Sequence, residues 1–235
     1  MGETRPVEFL LASQSPRRRE LIQLLGYPVR PLAAHVDEDS ITVLDPAVNV
    51  VETAVLKAHA IAQSFVPTAD VRTILIAADT TVAVDGVMLN KPVDAADARR
   101  MLRLLHGRDH EVHTGYVVRD MQSGAQVVGV HTAVVTMRPY TDTEIADYVA
   151  TSDPLDKAGA YAIQHPVFRP VSNLQGCYLG VMGLPLCNLV GALGQVGVDT
   201  AVGLTTLKQA HQQFPCPVFA QLFLSQSTQS GVQFR

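Results

Sequence analysis

Three cysteines, Cys177, Cys187 and Cys216, are all that this chain of 235 residues contains. An odd number with no C-x-x-C pair supports neither a disulfide framework nor a zinc cluster, so they are read as packing residues, and a reducing cytoplasm is the expected setting. None has the basic neighbour or the histidine arrangement that would nominate a thiol nucleophile. An excess of positive charge is also missing: 18 basic against 22 acidic side chains leave a formal −4. That balance excludes broad attraction to nucleic acid or to an anionic membrane, so any polyanion must meet a local cationic pocket. No stretch approaches the roughly 18 apolar residues of a membrane span. The first residues, Met1 to Val7, lead into no apolar run or small-residue cleavage site, so a secretory signal is not expected. Internal repeats and low-complexity linkers are absent as well.

What is present is the balance of a globular protein, 47% apolar and 17% charged, long enough to bury a core unaided. Val7 to Ala12 reads as a strand, and Ser15-Pro16 as a cap and first-turn proline opening a helix that ends at Gly26. A second strand is expected over Val29 to Ala34, and a loop over Asp37, Glu38 and Asp39. Asp45-Pro46 opens another helix, with Val48, Val51, Val55, Ala58, Ala62 and Phe65 as its expected buried face. Thr73 to Ala78 reads as a core strand that runs into Asp79, Thr80 and Thr81, and Asp85-Gly86 as a hairpin turn. Asp94 caps a helix with the stripe Ala98, Met101, Leu102 and Leu105, stopped at Gly107. His110 to Arg119 and Gln126 to Met137 form a long hairpin, and Thr141-x-x-Glu144 is a capping box. A last helix runs from Leu184-Pro185 to Leu193, and no clear period follows residue 200. The pattern is α/β, a central mixed sheet with flanking helices.

Three segments stand out chemically. Arg17, Arg18 and Arg19 crowd the first turn of a helix whose N-terminus is already positive, an unfavourable placement that a phosphate would resolve. Pairing with Glu20 or with solvent is the alternative, and Arg17 and Arg18, rather than Arg19, are the inward candidates. Asp79 ends an apolar run, where a carboxylate needs a metal, a lysine or a capping role to compensate it. Lys57, Lys91 and Lys157 stand in separate segments; singly they read as surface lysines, together with Glu38 and Asp79 as a cationic pocket around a divalent ion. His110 and His113, three apart on a strand, face opposite sides and are not a metal pair.

In order along the chain, Leu11-Ala-Ser-Gln-Ser-Pro-Arg-Arg-Arg-Glu-Leu21, Val36-Asp-Glu38, Lys57-Ala58, Ala78-Asp-Thr80, Lys91-Pro92, Leu105 to His110, Asp156 to Gln164 and Gly183-Leu-Pro185 resemble the Maf family of nucleotide pyrophosphatases, from Phe9 to about Leu193. The resemblance implies a fold like that of inosine-triphosphate pyrophosphatases, with a nucleotide cleft between two lobes, and a homodimer. It implies Asp79 as catalytic base, a divalent cation, Mg²⁺ or Mn²⁺, on Glu38 and Asp79, and Ser13, Arg18, Lys57 and Lys91 on phosphates or metal, with Lys157 beside them. Arg17, Thr80 and Gln164 are similar to the branch acting on dTTP and UTP; members acting on 7-methyl-GTP look different there. A triphosphate-sensing regulator of division without turnover is the rival reading. Two departures, His165-Pro166 and Cys177 within Gly176-Cys177-Tyr178, are expected near the base pocket. Residues 1–200 form the Maf-like domain and 201–235 an extension with no assigned role.

Overall fold

The computed structural model describes residues 5–200, 204–212 and 214–222. Seven strands form one mixed sheet: β1 (Val7–Ala12), β2 (Val29–Leu32), β3 (Arg72–Val84), β4 (Val87–Leu89), β5 (Asp109–Asp120), β6 (Gln126–Met137) and β7 (Val171–Gln175), in the order β2-β1-β3-β5-β6-β7 with β4 also on β3. β1 runs parallel to β2 and β3, and the remaining pairs are antiparallel. Helices α1 (Pro16–Gln23), α2 (Pro46–Ser64), α3 (Ala95–Leu105), α4 (Asp142–Ala150), α5 (Tyr178–Val181), α6 (Leu186–Gln195) and α7 (Leu204–Ala210) accompany the sheet, with short 3-10 turns and a further helical stretch at 217–222. No helix among the described residues is long and apolar enough to cross a membrane.

The local signals act as their chemistry dictates. Ser15 Oγ caps α1 through the Arg18 amide, Asp45 caps α2 through Ala47 and Val48, and Asp94 caps α3 through Asp97. The capping box of α4 closes in both directions between Thr141 and Glu144. α3 buries Ala98, Met101, Leu102 and Leu105 as its spacing requires. α2 departs from the expected face: it buries Val50, Thr53, Ala54, Lys57, Ala58 and Ile61, while Val48 is exposed and Val51, Val55, Ala62 and Phe65 are half-buried. The small residues win because α2 lies very close to the sheet: a Cβ on Gly115 of β5 would stand 2.7 Å from the Val51 amide nitrogen. Val50 and Ile61 are buried beside them, while Val51 and Val55 flank the contact half-buried.

Alternation along β3 splits the core in two. Leu75 and Ala77 pack under α2 with Leu10, Ala54, Ala58 and Val117. Ile74, Ile76 and Ala78 face the larger cluster built from α1, α3, α4 and α6. By the same period Asp79 belongs to the α2 side and Thr80 to the other. β1 is in register with β3 only as far as Leu11 opposite Ile76, and β4 joins that strand at Val82. Residues 77–81 therefore have a strand neighbour only in β5, where Asp79 lies opposite Gly115. The gap in the sheet is where the cleft opens.

His110 is buried on β5, with Nε2 2.7 Å from the Tyr161 hydroxyl and Nδ1 without a partner among the described residues. Burial depresses its pKa to about 4, with Asp109 opposing weakly. An unfolded imidazole titrates near 6.5, so between these values the unfolded chain takes up a proton that the native one refuses, and stability falls as pH drops. The loss by pH 4 should reach about 3 kcal/mol. Urea unfolding of wild type and His110→Gln at pH 7 and 4.5 checks this: the variant should lose less, and parallel losses would exclude His110 as the source.

Candidate active site

The gap at residues 77–81 opens into a cleft of about 750 Å³, the size of a small-molecule site. On the α2 side, Lys57 sits among buried helix positions with only 10% of its side chain exposed. Its Nζ lies 2.7 Å from Asp79 Oδ1 and 2.9 Å from Glu38 Oε2. The mid-strand carboxylate is thus compensated by a lysine, and two acids from distant segments converge on one ammonium. Glu38 comes from a short 3-10 turn, Glu38–Ser40, capped by Asp37. Asn49 of α2 ties down the segment after that turn, donating to the Val43 carbonyl at 3.0 Å.

On the other side, the loop from β1 into α1 brings in Ser13 and Arg18. Ser13 Oγ accepts from the Ser15 amide at 3.2 Å. Arg18 Nε donates to the Gly183 carbonyl at 2.7 Å and Nη2 to Thr80 Oγ1 at 2.9 Å. Thr80 also meets Thr114, which donates to the Gly180 carbonyl. Burial lowers the pKa of the Arg18 guanidinium, and the Asp79 carboxylate pulls it back up; a guanidinium stays charged in such a setting. Gly183 has φ +115°, a conformation closed to most side chains, which turns its carbonyl toward Arg18.

Lys91 is exposed at the cleft, with no carboxylate in ion-pair range among the described residues, and Gln164 also lines it, with no side-chain hydrogen bond among the described residues. Arg17 reaches Asp156 at 3.2 Å. Lys157 is also in the wall, but its three N–H bonds go to Asp153 Oδ1, the Asp153 carbonyl and Asp156 Oδ1. Its charge is committed to holding the 153–156 turn. Burial pushes the Asp156 carboxyl upward, and the hydrogen bonds from Lys157 and the charge of Arg17 outweigh it to leave the pKa lowered. Arg19 is exposed, as expected.

Ser13, Arg17, Arg18, Glu38, Lys57, Asp79, Thr80, Lys91, Lys157 and Gln164 all line this one cleft. Of the two departures, Cys177 is fully buried outside the lining, whereas His165 directly follows Gln164 of the lining and its Nδ1 accepts from the Phe168 amide. The reason is that Cys177 opens α5, which packs its start into the core behind the cleft wall. The roles of the Gly183 carbonyl, Thr114 and Asn90 are not legible in the sequence: a backbone carbonyl leaves no signal there, and the two polar side chains act by positioning Thr80 and Thr81.

The family model described as Maf-like protein matches residues 8–196. The chain belongs to the Maf family. Among Maf relatives, the dTTP/UTP pyrophosphatase of Chlorobium phaeovibrioides is 45% identical over 190 residues, 78% of this chain and 94% of its own. That of Citrifermentans bemidjiense is 43% identical over 188 residues, covering 80% of this chain and 95% of its own. The solved nucleoside-triphosphatase / dITP/XTP pyrophosphatase of Mycobacterium abscessus aligns at 18% identity and a TM-score of 0.36, over 55% of this chain and 72% of its own. That likeness is too slight to bear on the Maf site.

Proposed function

We propose that this chain hydrolyses dTTP and UTP to the monophosphate and pyrophosphate. The observation that carries the reading is the Asp79–Lys57–Glu38 cluster on the floor of a cleft whose opposite wall holds Arg18, in a chain more than two-fifths identical to dTTP/UTP pyrophosphatases. Asp79 accepts the proton of a water whose oxygen forms the new bond to the α phosphorus. The bond from that phosphorus to the α–β bridging oxygen breaks, and its electron pair leaves with pyrophosphate. An aspartate with a reference pKa of about 3.9 is a weak base at neutral pH. Glu38 and Asp79 share the Lys57 ammonium as partner; as hard oxygen donors on either side of it they would hold Mg²⁺ or Mn²⁺, which would supply positive charge to acidify the water and neutralise the triphosphate. Arg18, Lys57 and Lys91 stabilise the charge that builds on the bridging and equatorial oxygens.

Gln164 is assigned to the base. Its free amide offers one donor and one acceptor, matching the O4 and N3–H edge of thymine or uracil. A panel of nucleoside triphosphates with separate assays for pyrophosphate and orthophosphate tests the function. Stoichiometric pyrophosphate with dTTP and UTP preferred is the expected result. Binding without metal-stimulated release would favour a sensor, and a preference for 7-methyl-GTP would overturn the base assignment.

A further inference from the structure

Behind the cleft wall, the three cysteines come together with a histidine. Cys177 opens α5, Cys187 lies in α6, and His211 and Cys216 belong to the segment that follows the Maf-like region. All four are buried, and their ligand atoms lie within 4.8 Å of one another. His211 Nε2 is 3.3 Å from Cys177 Sγ and 3.5 Å from Cys187 Sγ, and Cys187 Sγ is 4.0 Å from Cys216 Sγ. No pair is a disulfide, and 4.0 Å is about twice an S–S bond.

We propose that Cys177, Cys187, His211 and Cys216 bind one structural zinc ion. Zinc–sulfur bonds of about 2.3 Å and zinc–nitrogen bonds of about 2.0 Å set tetrahedron edges of about 3.8 Å between sulfurs and about 3.5 Å from sulfur to nitrogen. The separations of 3.3, 3.5 and 4.0 Å lie close to those edges, and no pair of the four is farther apart than 4.8 Å. The imidazole is already oriented as a ligand, since His211 Nδ1 donates to the Leu207 carbonyl at 2.6 Å, which fixes the tautomer and leaves the Nε2 lone pair for a metal. One lone pair cannot accept from two thiols, yet two sulfurs stand against it, whereas a cation among them satisfies all four donors. The Phe219 amide points at Cys216 Sγ at 3.4 Å, a donor suited to a thiolate. Soft sulfur donors in a closed tetrahedral set select zinc over magnesium or manganese. Binding releases the thiol protons to solvent.

The ligands staple the segment after residue 204 to the body. Cys177 and Cys187 bracket the turn whose Gly183 carbonyl holds Arg18, so zinc braces the cleft wall without touching a nucleotide.

The test uses the full chain, free of any metal-binding tag and purified in reductant, with metal content read by mass spectrometry. About one zinc per chain is expected. It should persist in Asp79→Asn, which separates this site from any catalytic metal. Cys216→Ser and His211→Ala should each weaken zinc binding at least about tenfold. Should those variants fail to fold, stripped wild type refilled with Co²⁺ should show the intense visible bands of a tetrahedral thiolate site. Absence of zinc together with a weak, octahedral Co²⁺ spectrum, or a Cys187–Cys216 disulfide found by mass, would overturn the proposal.

Discussion

Asp79→Asn is expected to lower the rate of pyrophosphate release on the order of a thousandfold, the contribution typical of a positioned general base. Asparagine has the same shape and keeps an oxygen for Lys57, whose Nζ lies 2.7 Å from the carboxylate. β3 and its pairing with β5 should survive, because Asp79 enters the sheet through its backbone opposite Gly115. What disappears is the acceptor for the water proton and one hard donor. The loss therefore belongs in kcat, with the thermal midpoint close to wild type. Steady-state kinetics on dTTP with varied Mg²⁺ or Mn²⁺, alongside circular dichroism melts, separates these effects. Turnover equal to wild type would reject Asp79 as the base.

Gly115→Ala is expected to cost about 3 kcal/mol of stability, at the upper end of overpacking in a filled interior. The added methyl would meet backbone, not a flexible side chain: the Val50 carbonyl group and the Val51 nitrogen of α2. α2 has to move as a body away from β5, and it carries Lys57 with it. For a chain of this length the melting temperature should fall by about 6 to 12 °C. Activity should fall beyond what partial unfolding explains, because the Lys57 ammonium no longer reaches both Asp79 and Glu38. An unchanged melting curve would show that α2 can shift freely at this crossing.

Much of the fold was legible wherever one physical signal dominated. The capping box at Thr141, the stripe on α3 and the hairpin of β5 and β6 each follow from local hydrogen bonding or period. The buried face of α2 differs from the periodic expectation because periodicity weights large apolar residues, whereas Gly115 on the facing strand admits the Val50–Val51 backbone closely and the buried face is Val50, Thr53, Ala54, Lys57, Ala58 and Ile61. β7 and α5 escaped because they are short and lie in glycine- and proline-rich sequence. At the site, Asp79 and the arginines declared themselves by being electrostatically out of place. The commitment of Lys157 to Asp153 and Asp156 did not, since a lysine's partners depend on a turn. The Cys and His cluster was hidden by separation: its four members join only when the chain beyond residue 204 folds back.

The interruption in the sheet has a second effect. A stretch of strand lacking a neighbour invites pairing with another molecule, the usual route to aggregation. Here Ala77, Ala78 and Thr81 are buried, and Arg17, Arg18 and Lys91 line the cleft at the gap; such a fringe of cations acts as a gatekeeper against an incoming chain. The charges that would receive a polyanion thus also guard that gap, and neutralising them would leave it less protected against an incoming strand.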